Sequence, residues 1–153
     1  MKILILCTGN SCRSQMAEGF LKSYDSTIEV HSAGTEPSSE VHPLAIKAMA
    51  EVDIDISQNK PKDVGQFTDQ HFDYVITVCD DANLNCPVFT GTVDNRWHIG
   101  FDDPALAKGT EEEVMSIFRK IRDEIGEGFS SFYKSVICGD SSGSDCSGCS
   151  GCS

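Results

Sequence analysis

The feature that most constrains this chain is its N-terminal run KILILC (residues 2–7), which passes directly into TGNSCR (residues 8–13) and then into a helical pattern. An apolar run of this kind is typical of a strand buried on both faces of a parallel sheet. Small residues in the loop allow successive backbone N–H groups to turn inward, and the following helix adds the positive end of its dipole. The sequence therefore predicts an anion-binding loop at the carboxyl end of a buried strand.

Strand and helix patterns alternate along the rest of the chain. Further strands are predicted at residues 27–32, at 72–79 and near Trp97, with helices from Ser14, from Pro43 and over residues 111 to about 136. The alternation predicts a single-domain α/β fold, with an open parallel sheet of about four strands and helices on both faces. The inner face of the Pro43 helix is predicted to comprise Ala45, Ala48, Met49 and Val52.

Composition and charge limit the classes of function that this chain can have. The chain has 153 residues, eight cysteines and a net charge of −12. The charge argues against nucleic acid as a partner, and the apolar stretch at the N-terminus is too short to span a membrane. With no signal-peptide pattern in front of the first strand, we expect a cytoplasmic protein, and a monomer because no large exposed apolar stripe is evident. In that compartment the cysteines favour catalysis, redox exchange or metal binding over structural disulfides.

Cys7 and Arg13 carry the chemistry predicted for the loop. A guanidinium can hold two oxygens of a tetrahedral oxyanion, and the same donors stabilise a thiolate. We therefore expect a lowered pKa for Cys7, which would make it a nucleophile at neutral pH. The alternative is a buried cysteine that ends a strand, with Arg13 at the surface. Cys79 ends another predicted strand, so the two thiols could be neighbours at the same sheet edge.

The loop CTGNSCRS closely resembles the anion-binding loop of the low-molecular-weight protein tyrosine phosphatases. The resemblance implies that Cys7 attacks the central atom of the oxyanion and that Arg13 holds its oxygens. It also implies that Asp103, in FDDPA, protonates the leaving group. Ser14 would support the thiolate, Asn10 would brace the loop, and Cys12 would have no redox role. The implied oxyanion-binding residues are Thr8, Gly9, Asn10, Ser11, Cys12, Arg13 and Ser14.

Further motifs, in order along residues 2–136, resemble the thioredoxin-coupled arsenate reductases: EVDIDIS, VCDDANLNCP, WHIGFDDPA and FRKIRDEI. The resemblance implies that arsenate is the substrate and that three cysteines form a relay. A Cys7–Cys79 disulfide would form as arsenite leaves, and Cys86 would then attack Cys79. Thioredoxin, as the external reductant, would reduce the resulting Cys79–Cys86 disulfide. The alternative function is a phosphatase of phosphotyrosine or small phosphate esters, which needs neither Cys79 nor Cys86.

Some members of that family hold potassium near the loop, and Asn10, Glu18 and Ser32 match positions of that site. Lys62 stands where those members have an aspartate, and a lysine there could replace the cation. We therefore assign no metal ligand and expect no tightly bound cofactor.

The last stretch of the chain differs from the predicted domain, residues 1–138. Residues 139–153 contain only Gly, Ser, Asp and Cys, which predicts a flexible tail. Its Cys146, Cys149 and Cys152 could bind a soft ion such as arsenite, or one of them could reduce the catalytic disulfide. The alternative is a disordered extension with adventitious redox activity. A thiol sensor or soft-metal buffer built around this tail is a third possible function.

Overall fold

The structure, a computed structural model, describes residues 1–79 and 89–138. Within them, four parallel strands form one sheet: β1 (Lys2–Cys7), β2 (Glu29–Gly34), β3 (Phe72–Thr77) and β4 (Val93–His98). Their spatial order is β2-β1-β3-β4, so β1 lies inside the sheet. Ile3, Leu4, Ile5 and Leu6 are fully buried, as expected for an interior parallel strand. The predicted fold class is confirmed.

In the part of the chain that the structure describes, three α-helices accompany the sheet: α1 (Arg13–Tyr24), α2 (Pro43–Ala50) and α3 (Glu111–Phe132), the last continued by a π-helical turn, Tyr133–Cys138. Short 3-10 turns lie at Val64–Gln66 and at Pro104–Leu106. A capping box between Thr110 and Glu113 begins α3, and this motif satisfies N–H groups that a helix start leaves unpaired. No helix among the described residues has the length and apolar character needed to cross a membrane.

The two faces of the sheet have different neighbours. On one face, Phe132 of α3 packs edge-on against Tyr74 and Trp97, and the Tyr24 hydroxyl of α1 donates to the Gly126 carbonyl of α3 at 2.9 Å. Side chains alternate along a strand, so His31, which is paired with Leu4, lies on the opposite face from Tyr74. There it contacts Phe67, which follows the Val64–Gln66 turn.

Some element boundaries differ from the prediction. β2 runs through Gly34 because it remains paired with β1 up to Cys7. β3 ends at Thr77, two residues before Cys79, although Val78 still donates to the Leu6 carbonyl. The prediction for Val52 was wrong: α2 ends at Ala50, the chain turns through Asp53 at φ 63°, and Val52 is exposed.

The segment with Cys86, at residues 80–88, and the tail with Cys146, Cys149 and Cys152, at residues 139–153, lie outside the described residues. The predictions made for them remain predictions.

Candidate active site

The carbonyl groups of the loop between β1 and α1 accept backbone hydrogen bonds from the segment that follows β2. The carbonyls of Cys7, Thr8, Gly9 and Ser11 accept N–H groups from residues 35, 36, 38 and 42 at 2.8–3.2 Å. Because these oxygens are engaged by the segment after β2, they do not line an anion site. Asn10 adopts a left-handed conformation with φ 50°, a region that glycine favours and that asparagine enters more readily than most other residues. Its N–H then donates to the Cys7 sulfur at 3.1 Å.

Cys7 is buried at the end of β1, with its sulfur 2.9 Å from the Ser14 hydroxyl. The Ser14 oxygen accepts the Asn10 side-chain amide at 2.8 Å. A hydroxyl has one proton, and this arrangement leaves that proton for the Cys7 sulfur. Two donors therefore support a thiolate here.

Burial, however, raises the pKa of the Cys7 thiol above its ordinary value of 9.0. The hydrogen bonds from Ser14 and Asn10 and the charge of Arg13 lower it, but to a smaller extent. The expectation of a lowered pKa for Cys7 was wrong. Burial destabilises the thiolate more than these hydrogen bonds and the charge of Arg13 stabilise it.

A buried amide that sequence reasoning missed supports Asn10. The side-chain nitrogen of Gln15 donates to the Asn10 backbone carbonyl and to its side-chain oxygen, both at 3.1 Å. Asn59 donates to the Gln15 side-chain oxygen at 3.1 Å, and the Lys62 N–H donates to the Asn10 side-chain oxygen at 2.9 Å. A polar residue on the buried stripe of α1, directly after the loop, is the signal that could have identified Gln15.

Arg13, the first residue of α1, reaches across to the loop after β4. It donates to the Phe101 carbonyl at 3.1 Å and lies 3.4 Å from the Asp103 carboxylate. The other Asp103 oxygen accepts the Ala105 N–H at 2.9 Å, which caps the turn Pro104–Leu106. The structure thus brings Asp103 to the loop. The Phe101 contact uses a backbone oxygen, so no residue type signals it.

Cys79 is buried beside the loop, with its sulfur 3.4 Å from the Thr8 hydroxyl. It lines a cleft of about 710 Å³ together with Thr8, Arg13, Phe101 and Asp103. Cys7 lines an adjoining pocket of about 300 Å³, which shares Thr8, Arg13 and Asp103 with that cleft. The two thiols therefore open onto neighbouring spaces around the same arginine and aspartate.

The remaining residues of the loop are Gly9, Ser11 and Cys12. Gly9 and Ser11 line the pocket that holds Cys7. Cys12 is buried, with its sulfur 3.7 Å from the Ser11 hydroxyl, and burial raises its pKa to about 12. A thiol in this state is a poor nucleophile at neutral pH.

The residues that match a potassium site do not fit a bound ion. The Ser32 hydroxyl donates to one Glu18 carboxylate oxygen at 2.5 Å, and the Lys22 ammonium donates to the other at 2.6 Å. The Asn10 side-chain oxygen already accepts Gln15 and Lys62. The Lys62 ammonium lies on the Lys60 carbonyl at 3.3 Å. Protein donors thus occupy the oxygens that an ion would need.

Comparisons with known proteins show the family of this chain. The sequence profile of the family "Low molecular weight phosphotyrosine protein phosphatase" matches residues 2–138. An arsenate reductase of Halalkalibacterium halodurans is 49% identical over 131 residues, which is 85% of this chain and 93% of that protein. A solved arsenate reductase in the phosphate-binding state matches with TM-score 0.74 and 34% identity, over 88% of this chain and 98% of that one. A thioredoxin-dependent arsenate reductase of Corynebacterium glutamicum matches with TM-score 0.64 and 29% identity, over 90% of this chain and 62% of that one.

Proposed function

This chain belongs to the arsenate reductases of the low molecular weight phosphotyrosine protein phosphatase family, and from that premise we propose that it reduces arsenate to arsenite with Cys7 as the nucleophile. The observation that carries the proposal is the position of Cys79. A phosphatase needs a cysteine, an arginine and an acid at the loop. A second thiol beside the loop, facing the cleft that borders Arg13 and Asp103, has a use in reduction.

In the first step Cys7 attacks arsenic while Arg13 holds two arsenate oxygens. Since burial favours the neutral thiol, a dianionic arsenate can itself accept the thiol proton. The Cys7–arsenic bond forms and one arsenic–oxygen bond breaks, and Asp103 protonates the departing oxygen so that it leaves as water. Arsenic is still pentavalent at this stage.

In the second step the Cys79 thiolate attacks the Cys7 sulfur. A sulfur–sulfur bond forms and the sulfur–arsenic bond breaks, with its electron pair moving to arsenic. Arsenic is thereby reduced to the trivalent state and leaves as arsenite, while the two thiols are oxidised to one disulfide. The Thr8 hydroxyl beside Cys79 is placed to stabilise the attacking thiolate.

In the third step Cys86 attacks Cys79 and releases Cys7, and thioredoxin reduces the Cys79–Cys86 disulfide. The support for thioredoxin is the thioredoxin-dependent neighbour of similar fold. A reducing compartment such as the cytoplasm would keep all three thiols available.

The test of the function is a coupled assay. Arsenate is added to the protein with thioredoxin, thioredoxin reductase and NADPH, and NADPH oxidation is followed. We expect arsenate-dependent oxidation that needs both the protein and thioredoxin. Hydrolysis of p-nitrophenyl phosphate is measured alongside. Hydrolysis without any arsenate-dependent oxidation would instead favour the alternative function, a phosphatase.

A further inference from the structure

A polar stripe runs along the buried side of α1. Ser14, Glu18 and Lys22 are spaced by four residues, so they lie above one another on one face of the helix. Ser14 and Glu18 are buried, whereas the side chain of Lys22 is 52% exposed. The stripe therefore begins at the hydroxyl that contacts Cys7 and ends at an ammonium group on the surface.

The carboxylate of Glu18 is the unusual member of this stripe, because its side chain is only 4% exposed. A buried carboxylate is costly unless it is both hydrogen-bonded and paired with a cation. Ser32 supplies a neutral hydrogen bond to one oxygen, and Lys22 supplies the positive charge at the other. Both oxygens thus have a donor from the protein itself.

Lys22 has acidic alternatives close by. It borders a surface groove of about 360 Å³ together with Asp53 and Asp55. Its salt bridge is nevertheless with Glu18, at 2.6 Å. An ammonium on a long flexible stem can reach inward from the surface in this way, and glutamate followed four residues later by lysine is the favourable order in a helix.

We propose that the Lys22 ammonium is the permanent counter-ion of Glu18 and takes the place of a potassium ion, so that this protein does not depend on potassium. A counter-ion of a buried carboxylate affects the stability of the folded protein. The proposal can therefore be tested by thermal unfolding, without any assumption about arsenate reduction.

The test is thermal unfolding of the whole chain in potassium chloride and in choline chloride at equal ionic strength. Choline is the control because it is too large for a buried site. The wild type is expected to unfold at the same temperature in both salts. Lys22→Met is expected to lower Tm by about 4–10 °C in choline chloride, since it leaves Glu18 without a cation. Potassium is expected to restore part of that loss.

Two further variants make the outcome decisive. Lys120→Met removes one positive charge from an exposed position of α3 and is expected to respond equally to both salts. In the double variant Glu18→Gln/Lys22→Met no potassium response should remain, because the carboxylate is gone. The proposal is overturned if potassium stabilises the wild type over choline. It is also overturned if Lys22→Met keeps the wild-type Tm, or if potassium restores none of the lost stability.

Discussion

The Thr8 hydroxyl lies 3.4 Å from the sulfur of Cys79. Thr8 directly follows Cys7 and borders both the pocket of Cys7 and the cleft of Cys79. The loop between β1 and α1 therefore contacts the second thiol through the Thr8 side chain. Under the proposed mechanism, this contact connects the step that binds the oxyanion to the step that reduces it.

Thr8→Val removes the hydroxyl while keeping the β-branched shape. We expect formation of the Cys7–Cys79 disulfide to slow by about 10- to 160-fold, the effect of one hydrogen bond to a charged group. Rapid quenching after arsenate addition, with peptide mass spectrometry of the disulfide, measures this rate. Thr8→Ser is the matched control and should stay near the wild-type rate. Equal rates for Thr8→Val and wild type would contradict a role for the hydroxyl.

Ser14→Ala should raise the pKa of Cys7 further. The Ser14 hydroxyl contacts the sulfur and lowers the pKa against the effect of burial, so its loss reduces the thiolate fraction at any given pH. Alkylation of Cys7 by iodoacetamide at neutral pH is expected to slow by about 10- to 160-fold, the effect of a hydrogen bond to a charged group. The rate is read from the Cys7 peptide as a function of pH. A profile identical to wild type would show that Ser14 does not stabilise the thiolate.

Asp103→Asn should impair the chemical step and leave binding largely intact. The asparagine keeps an oxygen for the Ala105 N–H, which caps the Pro104–Leu106 turn, but it is not an acid. Loss of a positioned general acid typically costs about 10²–10⁴-fold. Single-turnover formation of arsenite should fall by this factor, while competitive inhibition by phosphate reports binding. Wild-type turnover in this variant would exclude Asp103 as the proton donor.

The Glu51 carboxylate joins α2 to α3, because it accepts both Arg119 and Arg122 at 2.9 Å. The hydrogen bond from Arg119 is the largest cause that lowers the pKa of Glu51 from 4.5 to about 2. A lowered folded-state pKa gives stability that is present above about pH 4.5 and is lost as the pH falls toward 2. Glu51→Gln should therefore reduce Tm at neutral pH and weaken its fall in that acid range. Glu127→Gln, exposed on α3, is the control, and an unchanged pH dependence for Glu51→Gln would contradict the assignment.

The sequence predicts strands and helices correctly where the apolar runs are long. The run at residues 2–7 predicts β1, and the small residues after it predict the loop. A parallel sheet brings strand ends to one edge, which predicts that Cys79 lies near the loop. The end of α2 could not be predicted from the sequence, because Val52 continues the apolar spacing of the helix. In the structure the helix ends at Ala50 and the chain turns through Asp53.

Two features of the site depend on tertiary structure. Arg13 is oriented by the Phe101 carbonyl, which any residue type could provide. The direction of the Cys7 pKa depends on how much burial opposes the donors around the sulfur, and burial follows from the packing of the whole domain. The donors themselves, Ser14 and Asn10, were recognisable because they lie in the loop or directly after it.

The most direct test of the relay is the Cys79→Ser variant in the coupled assay with thioredoxin, its reductase and NADPH. The account predicts no arsenate-dependent NADPH oxidation above the background without protein, because serine at position 79 cannot form a disulfide with Cys7. A weak phosphatase side activity is expected of the wild type, and the account predicts that Cys79→Ser retains its hydrolysis of p-nitrophenyl phosphate, since Cys7, Arg13 and Asp103 are unchanged. Sustained arsenate-dependent oxidation of NADPH by Cys79→Ser would contradict the relay.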